Sequence, residues 1–445
     1  MITTRPRISS REHLHASARD TVRWLYSLIV YLCLPFLWCA LYWHYRASGD
    51  YNARWRERLG WVTPMPAAIN TPVIWVHLAS VGEVLAAREL LEQLMKRYPE
   101  KAIVVTTTTP TGAERVVDLF DNNLQHYYLP YDTPGCMQRF LQRIAPELLI
   151  ILETELWPNM IASCAKHHIP IVLANGRMSA RSRRGYQRFR WLSAPLFNRL
   201  ALVAAQSEAD HTRFQQLGAT HTITTGNIKY DLEIPTAQLE QAQALKQQWT
   251  RNYQRLVWIA ASTHNGEEAL ILEVFSYLKH YVDDLLLVIV PRHRERFDTV
   301  AKLCINSGYQ IQHRSYGEPV SVTTDIVLGD TMGELMLLYG ASDIAFVGGS
   351  LIDNGGHNML EPAAWGLPVF SGASIYNFTD VAAGLLDVGG LAVVNNSDEL
   401  GKSIQQLLRD PQKLQHQGQM ARRYLDANKG ALERLLTQLS HYLDQ

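Results

Sequence analysis

The chain has 445 residues, 47% of them apolar and 19% charged, and 42 basic side chains balance 42 acidic ones. That length exceeds one ordinary hydrophobic core, so two domains are expected, and the composition excludes a disordered chain. Zero net charge argues against a general nucleic-acid binder, and no nucleic acid is expected among the partners.

Trp24 to Trp43 carries no charged residue, and as a helix of about 30 Å it is long enough to cross the hydrocarbon of a bilayer. Its Trp and Tyr residues suit a bilayer interface. Arg5, Arg7, Arg11, Arg19 and Arg23 precede it, and Arg46, Arg54, Arg56 and Arg58 follow, so orientation stays open. The length of the run and the lack of a small-residue cleavage site argue against a removed signal peptide. Residues 1–59 are read as a membrane anchor with basic flanks. Pro35 leaves a buried or surface-lying helix as the alternative. The cysteines (Cys33, Cys39, Cys136, Cys164, Cys304) are scattered, odd in number and without CxxC spacing, which points to a reducing compartment and no zinc site.

Past the prolines at 64, 66 and 72 an α/β rhythm begins. Strands are predicted at Val73–His77, Ala102–Thr106, Leu148–Leu152, Ile169–Leu173 and Leu202–Ala205, with a helix over Val84–Tyr98. Leu148–Leu152 is a pure apolar run, as in a central parallel strand covered on both faces. The polar, Gln-rich stretch from Pro235 to Arg251 reads as a linker or bridging helix. A second rhythm follows with strands at Leu256–Ala261, Leu285–Val290, Asp325–Leu328, Ile344–Val347 and Pro368–Phe370. The fold class is therefore α/β, with two Rossmann-like domains, 60–240 and 241–445, facing a cleft.

Chemistry-bearing residues fall after these strands. Ser80-Val81-Gly82-Glu83 is either a capping box or, with Glu83 facing the cleft, the site of a general base kept ionised by the helix dipole. Glu153 and Glu155 are expected on one strand face, where two like charges are costly unless used. Arg177, Arg181, Arg183, Arg184, Arg188 and Arg190, interleaved with Tyr186, Phe189 and Trp191, suit anionic lipid headgroups or phosphates, or form a solvated helix face. Lys229 is placed near the cleft, where it would offset a phosphate or carboxylate. Ser262 and Thr263, entering a helix, suggest a phosphate cradle, and Arg292 offers a bidentate partner for an anion. Gly348-Gly349 and Gly355-Gly356, with Asn358 and Glu361 three residues apart, read as a nucleotide site whose carboxylate accepts ribose hydroxyls, or as an ordinary glycine-rich turn.

Together these blocks resemble the Kdo (3-deoxy-D-manno-octulosonic acid) transferases, GT-B glycosyltransferases of lipopolysaccharide inner-core synthesis. The resemblance rests on His77–Glu83, Glu153–Asn159, Asn175–Ser179, Gly226–Lys229, Ser262–Glu267, Pro291–His293, Met332–Glu334 and the glycine segment with Asn358 and Glu361, all in the family's order. This chain departs from the family at Gly176, Met359 and Gly372-Ala373-Ser374. The N-terminal apolar run also matches the family's membrane segment.

The resemblance implies an inverting, metal-free transfer of Kdo from CMP-Kdo to the tetraacyl lipid A precursor, an anionic lipid. It implies no cofactor, because CMP-Kdo is a substrate. Glu83 is implied as the general base, with Glu153, Glu155 and Lys229 as the other catalytic residues. Ser262, Thr263, Pro291, Arg292, His293, Met332, Gly333, Glu334, Asn358 and Glu361 are expected on the donor, and Ser80, Gly82, Arg177, Arg181 and Arg184 on the acceptor. The expected location is the cell inner membrane, with both catalytic halves on the cytoplasmic side. The rival readings are a GT-B transferase using a UDP-sugar on a lipid acceptor, and a membrane-tethered nucleotide-binding protein without turnover.

Overall fold

Apolar runs bounded by turn residues become the central strands of two parallel sheets in the computed structural model, which describes residues 10–44, 54–64, 71–121, 123–251 and 254–444. The first sheet contains β1 (Val73–His77), β2 (Ala102–Thr107), β3 (Gln125–Tyr128), β4 (Pro146–Leu152), β5 (Ile171–Gly176), β6 (Leu202–Ala205) and β7 (Thr222–Thr224). Their order is β3-β2-β1-β4-β5-β6-β7. The second contains β8 (Leu256–Thr263), β9 (Leu285–Pro291), β10 (Ile311–His313), β11 (Ile326–Leu328), β12 (Ile344–Val347), β13 (Val369–Gly372) and β14 (Leu391–Val394), in the order β10-β11-β9-β8-β12-β13-β14.

The two-residue period of a strand explains why the central strands read as solid apolar runs. In the first sheet Trp75, Leu149 and Ile151 pack into a core on one face with Phe140 and Phe197. Their neighbours Ile74, Val76, Leu148 and Ile150 pack into a core on the other face with Leu90 and Leu91. The second sheet repeats this, with Trp258, Leu287 and Ile289 on one side and Val257, Ile259 and Val288 on the other. β3, β7, β10 and β14, which the sequence pattern does not announce, are the four sheet edges. They are short, and β3, β7 and β10 carry polar residues, as edges do.

The chain divides into two compact units at Ile228/Lys229, twelve residues before the expected boundary. The first comprises Met1–Ile228 together with Gly430–Gln445, and the second Lys229–Lys429. The C-terminus thus belongs to the first unit: Ala431, Leu435, Leu436 and Leu439 of the helix Ala431–Leu443 form one apolar stripe and enter its core. Of the two readings of the Gln-rich stretch, linker or helix, the helix is the one that forms: Thr236–Trp249, with Ala242 and Trp249 buried.

The N-terminal helix spans Ser10–His44, and its apolar stretch Arg23–Trp43 is long and apolar enough to cross a membrane. Arg5, Arg7 and Arg46 lie outside the described residues. Trp24, Leu25, Leu28, Ile29, Leu32 and Phe36 are exposed. The opposite face rests on the first unit. Tyr26 Oη donates to Asp132 Oδ2 at 2.9 Å, Ser27 Oγ to Asn159 Oδ1 at 3.1 Å, and Leu41 packs beside Ala113 and Tyr128. Arg58, expected in a basic flank, is instead buried within the first unit.

Asp132 joins this helix to the helix Pro158–Lys166, whose Asn159 and Met160 N–H groups donate to its carboxylate at 2.9 and 2.8 Å. Burial pushes the Asp132 carboxyl up to about 6, against the pull of those hydrogen bonds. The folded protein therefore binds this proton more tightly than the unfolded chain, whose carboxyl titrates near 4. This site's contribution to stability is greatest below about pH 4, falls on the order of 2 kcal/mol as pH rises to about 6, and is flat above. Unfolding midpoints of the detergent-solubilised protein across that range should show the trend, and Asp132→Asn should flatten it.

Candidate active site

In both sheets the strand order reverses beside the first strand, between β1 and β4 and between β8 and β12. Ligands of open α/β sheets bind at the carboxyl ends of strands at such switch points. Three non-glycine residues there adopt left-handed backbone conformations: Glu153 (φ 57°) after β4, Asn175 (φ 53°) in β5 and Ser262 (φ 55°) in β8. Strain of that kind persists only where surrounding contacts enforce it. No side-chain pattern in the sequence foretells it.

In the first unit the helix Val81–Arg97 starts directly after β1. Glu83 is 8% exposed. Its Oε2 accepts the Ala79 N–H at 2.7 Å, and Ser80 Oγ lies 3.5 Å from Oε1. The glutamate reaches back to the main chain one residue before the N-cap, and the Ser80 side chain makes no cap bond, so the expected capping box takes a different form. Ser80 and Gly82 are exposed beside it. His77, at the end of β1, is fully buried, and burial lowers its imidazole to about 4, with the nearby Arg58 adding to the shift.

The left-handed turn at Glu153 ends β4 at Leu152, so Glu153 and Glu155 are not on a strand face as expected. They still interact. Burial raises the Glu155 carboxyl, the Trp157 Nε1–H donated at 3.2 Å opposes this, and the charge of Glu153 adds to the rise. Neither caps the following helix, a task done by Asp132. Thr154 donates to the carbonyl of Arg177, linking this turn to the one after β5. Arg177, Arg181 and Arg184 are exposed, as are Phe189 and Trp191. Asn175 is buried, and its Oδ1 accepts the N–H of Ile228, the residue before Lys229.

In the second unit β11, β9, β8 and β12 set their carboxyl ends side by side. Arg292 follows β9, and Asn358 donates from Nδ2 to Glu361 Oε1 at 3.2 Å. Burial raises the Glu361 carboxyl to about 7, while Asn358 and then Arg292 pull it down. Two histidines not singled out from the sequence join this group. His264 and His357 stack at 5.0 Å with their Nε2 atoms 2.7 Å apart, so one proton is shared between them. Burial lowers both, His357 to about 4. His293 stands edge-on to His264 at 5.3 Å. The Ser-Thr-His-Asn-Gly-Glu and Gly-Gly-His-Asn blocks already contained both residues, but nothing in their spacing reveals the pairing.

Two of the other expected donor residues, Thr263 and Glu334, have internal partners. Thr263 is buried and donates to Glu268 at 3.2 Å. Ser262 and Pro291 are buried. Met332 is exposed. Glu334 is held by Arg314 at 3.1 and 3.2 Å and by Thr331 at 2.6 Å; these bonds keep its carboxyl below the ordinary range although burial pulls the other way.

The glycine-rich segment differs most from expectation. Its N–H groups are not open to a ligand, because the buried carboxylate of Glu267 accepts those of Gly349, Ser350 and Leu351 at 2.6, 2.9 and 2.9 Å. Gly348 is required by close approach: a Cβ there would stand 2.6 Å from the Ser262 carbonyl oxygen. The helix that follows, Leu360–Ala364, has five residues.

Residues 53–232 match the family described as 3-deoxy-D-manno-octulosonic-acid transferase (kdotransferase), and residues 254–424 match glycosyl transferases group 1. The 3-deoxy-D-manno-octulosonic acid transferase of Haemophilus influenzae is 41% identical over 430 residues, 95% of this chain and 99% of that protein. This chain belongs to the Kdo transferase family. It is a glycosyltransferase by that membership. The Bordetella pertussis enzyme of the same name is 34% identical over 95% of this chain and 99% of its own length. A solved UDP-GlcNAc 2-epimerase from Neisseria meningitidis, 14% identical, covers 82% of this chain and 99% of its own with a TM-score of 0.55, which shows the shared GT-B-like fold. The C-terminal CMP-Kdo binding domain of WaaA from Acinetobacter baumannii is 34% identical and covers 43% of this chain and 99% of its own, at a TM-score of 0.41.

Removing the carboxylate that holds the glycine segment strands several buried N–H groups at once. Glu267→Ala should therefore lower unfolding free energy by about 3 kcal/mol or more, measured by denaturant titration. A loss below about 1 kcal/mol would mean that the loop finds other partners.

Proposed function

We propose that this transferase moves Kdo from CMP-Kdo to the tetraacyl lipid A precursor, with inversion and without a metal. One observation carries the mechanism: Glu83 is a buried carboxylate at a helix N-terminus beside the switch point, with one oxygen committed to the main chain. The other oxygen takes the proton of the acceptor's 6′ hydroxyl. The freed oxygen bonds to the anomeric carbon of Kdo as the bond from that carbon to the CMP phosphate breaks, and CMP leaves with the electron pair. Arg292 and Lys229 offset the charge that moves onto the phosphate, and Asn358 and Glu361 hold the ribose. Glu153 and Glu155 follow β4, the strand beside β1, which leads to Glu83, and complete the acceptor side. Arg177, Arg181 and Arg184 meet the acceptor's phosphates.

The N-terminal helix fits a membrane anchor at the cytoplasmic face of the inner membrane. Tyr26, Ser27 and Leu41 dock it along the first unit from one end of its apolar stretch to the other. This supports a helix lying in the interface with its exposed apolar face in lipid, rather than one standing across the bilayer.

Given CMP-Kdo and the lipid A precursor, purified protein should release CMP in step with Kdo-bearing product. No release above background would end the proposal, and use of a UDP-sugar instead would favour the rival transferase reading. Glu83→Gln should lower turnover at least about 100-fold and leave CMP binding intact; loss of both would assign Glu83 to the fold.

Glu361 accepts ribose hydroxyls on both of its oxygens only when ionised. With its carboxyl raised to about 7, affinity for the ribose should be complete well above pH 7 and fall as pH drops below it. Cytidine is the suitable probe, since it lacks the phosphate that itself titrates near 6. Glu361→Gln should bind cytidine more weakly at high pH and lose the dependence.

A further inference from the structure

Arg58 lies in the 3-10 helix Trp55–Leu59, outside both the acidic and the basic blocks that point to the site. Its guanidinium is buried, which is costly for a charge unless its donors are used. Nη1 donates to the Leu129 carbonyl at 3.0 Å, just after β3, and Nη2 donates to the Thr108 carbonyl, just after β2. The guanidinium also sits 4.7 Å over the Tyr128 ring. Its own carbonyl accepts the Tyr131 N–H at 2.8 Å. The segment is locked in place behind it: Gly60 turns with φ 79°, and a Cβ there would stand 2.2 Å from the Cys136 carbonyl oxygen.

Thr108 carries the connection onward. Its Oγ1 donates to the Ala79 carbonyl at 2.6 Å and its N–H to the same oxygen at 3.3 Å. Ala79 is the residue whose N–H holds Glu83 Oε2 at 2.7 Å. Three strand exits are thereby tied together, and the last tie is to the carboxylate. We infer that Arg58 and Thr108 are positioning residues for Glu83, setting the Ala79 main chain that aims the carboxylate. This inference rests on the reading of Glu83 as the general base. An error of about 1 Å in such an aim can cost on the order of 100-fold in rate without any loss of substrate affinity.

The test separates aim from fold. Thr108→Val removes the hydroxyl donor at nearly constant shape, and Thr108→Ser keeps it. Arg58→Lys keeps the charge and loses the two-pronged grip. Thr108→Val and Arg58→Lys should each lower kcat at least about tenfold. The KM for CMP-Kdo and CMP binding should stay near wild type in both, the unfolding midpoint should stay near wild type in Thr108→Val, and Thr108→Ser should retain most of kcat. The double variant should be little worse than the more damaged single one, because both act through Ala79. Wild-type kcat in Thr108→Val overturns the inference, as does a kcat loss that only tracks a fall in the unfolding midpoint. Should Arg58→Lys fail to fold, the Thr108 pair decides alone. Wild-type turnover in Glu83→Gln would instead overturn the base assignment on which the inference stands.

Discussion

A carboxylate buried at the end of a parallel strand must be bonded by main-chain N–H groups, and much of this molecule is arranged around that requirement. Glu267 satisfies it with three N–H groups of the glycine segment, and Asp132 with two from the start of a helix. Glu83 is bonded by Ala79. In each case the partner N–H belongs to a loop or helix start at the carboxyl side of a sheet, where parallel topology leaves main-chain donors unused.

The buried carboxylates differ in what bonds them. Glu267 is saturated by the loop it organises, and the tight packing of Gly348 on Ser262 exists to bring that loop within reach. Glu83 commits Oε2 to the Ala79 N–H, and Ser80 Oγ approaches its Oε1 at 3.5 Å. Glu361 is bonded mainly by Asn358, and burial raises it to about 7, so its charge responds to its surroundings. The second unit adds a paired His264 and His357, whose imidazoles burial lowers, beside Arg292 and His293.

The central strands were legible because both of their faces are covered, which makes every position apolar. The edge strands were not, because a half-exposed strand of three or four residues differs little from a loop. Glu83, Glu361 and Arg292 were legible as candidates because strand ends of α/β sheets carry the ligands. Glu267 was not, since a buried carboxylate that organises a loop has the same local spelling as an acid at a helix start. Arg58 was misplaced for a related reason: among neighbouring arginines, charge alone cannot distinguish a solvated side chain from a buried one. The pairing of Glu153 with Glu155 survived, but the strand geometry invoked for it did not, because the left-handed turn at Glu153 removes the alternation.

The amino-acid sequence by itself determined the fold class, the two-unit plan, the apolar N-terminal helix and the family, because each is a local or additive property: apolar runs, their spacing, and motif blocks in order. Only the tertiary structure decided which of those residues are free to meet a ligand. It closed the glycine segment with Glu267, returned the C-terminal helix to the first unit and tied Arg58 through Thr108 to the residue that holds Glu83. All three depend on groups far apart in the chain meeting at one strand end, and the cost of leaving a buried charge or N–H unbonded selects those partners only once the sheets have formed.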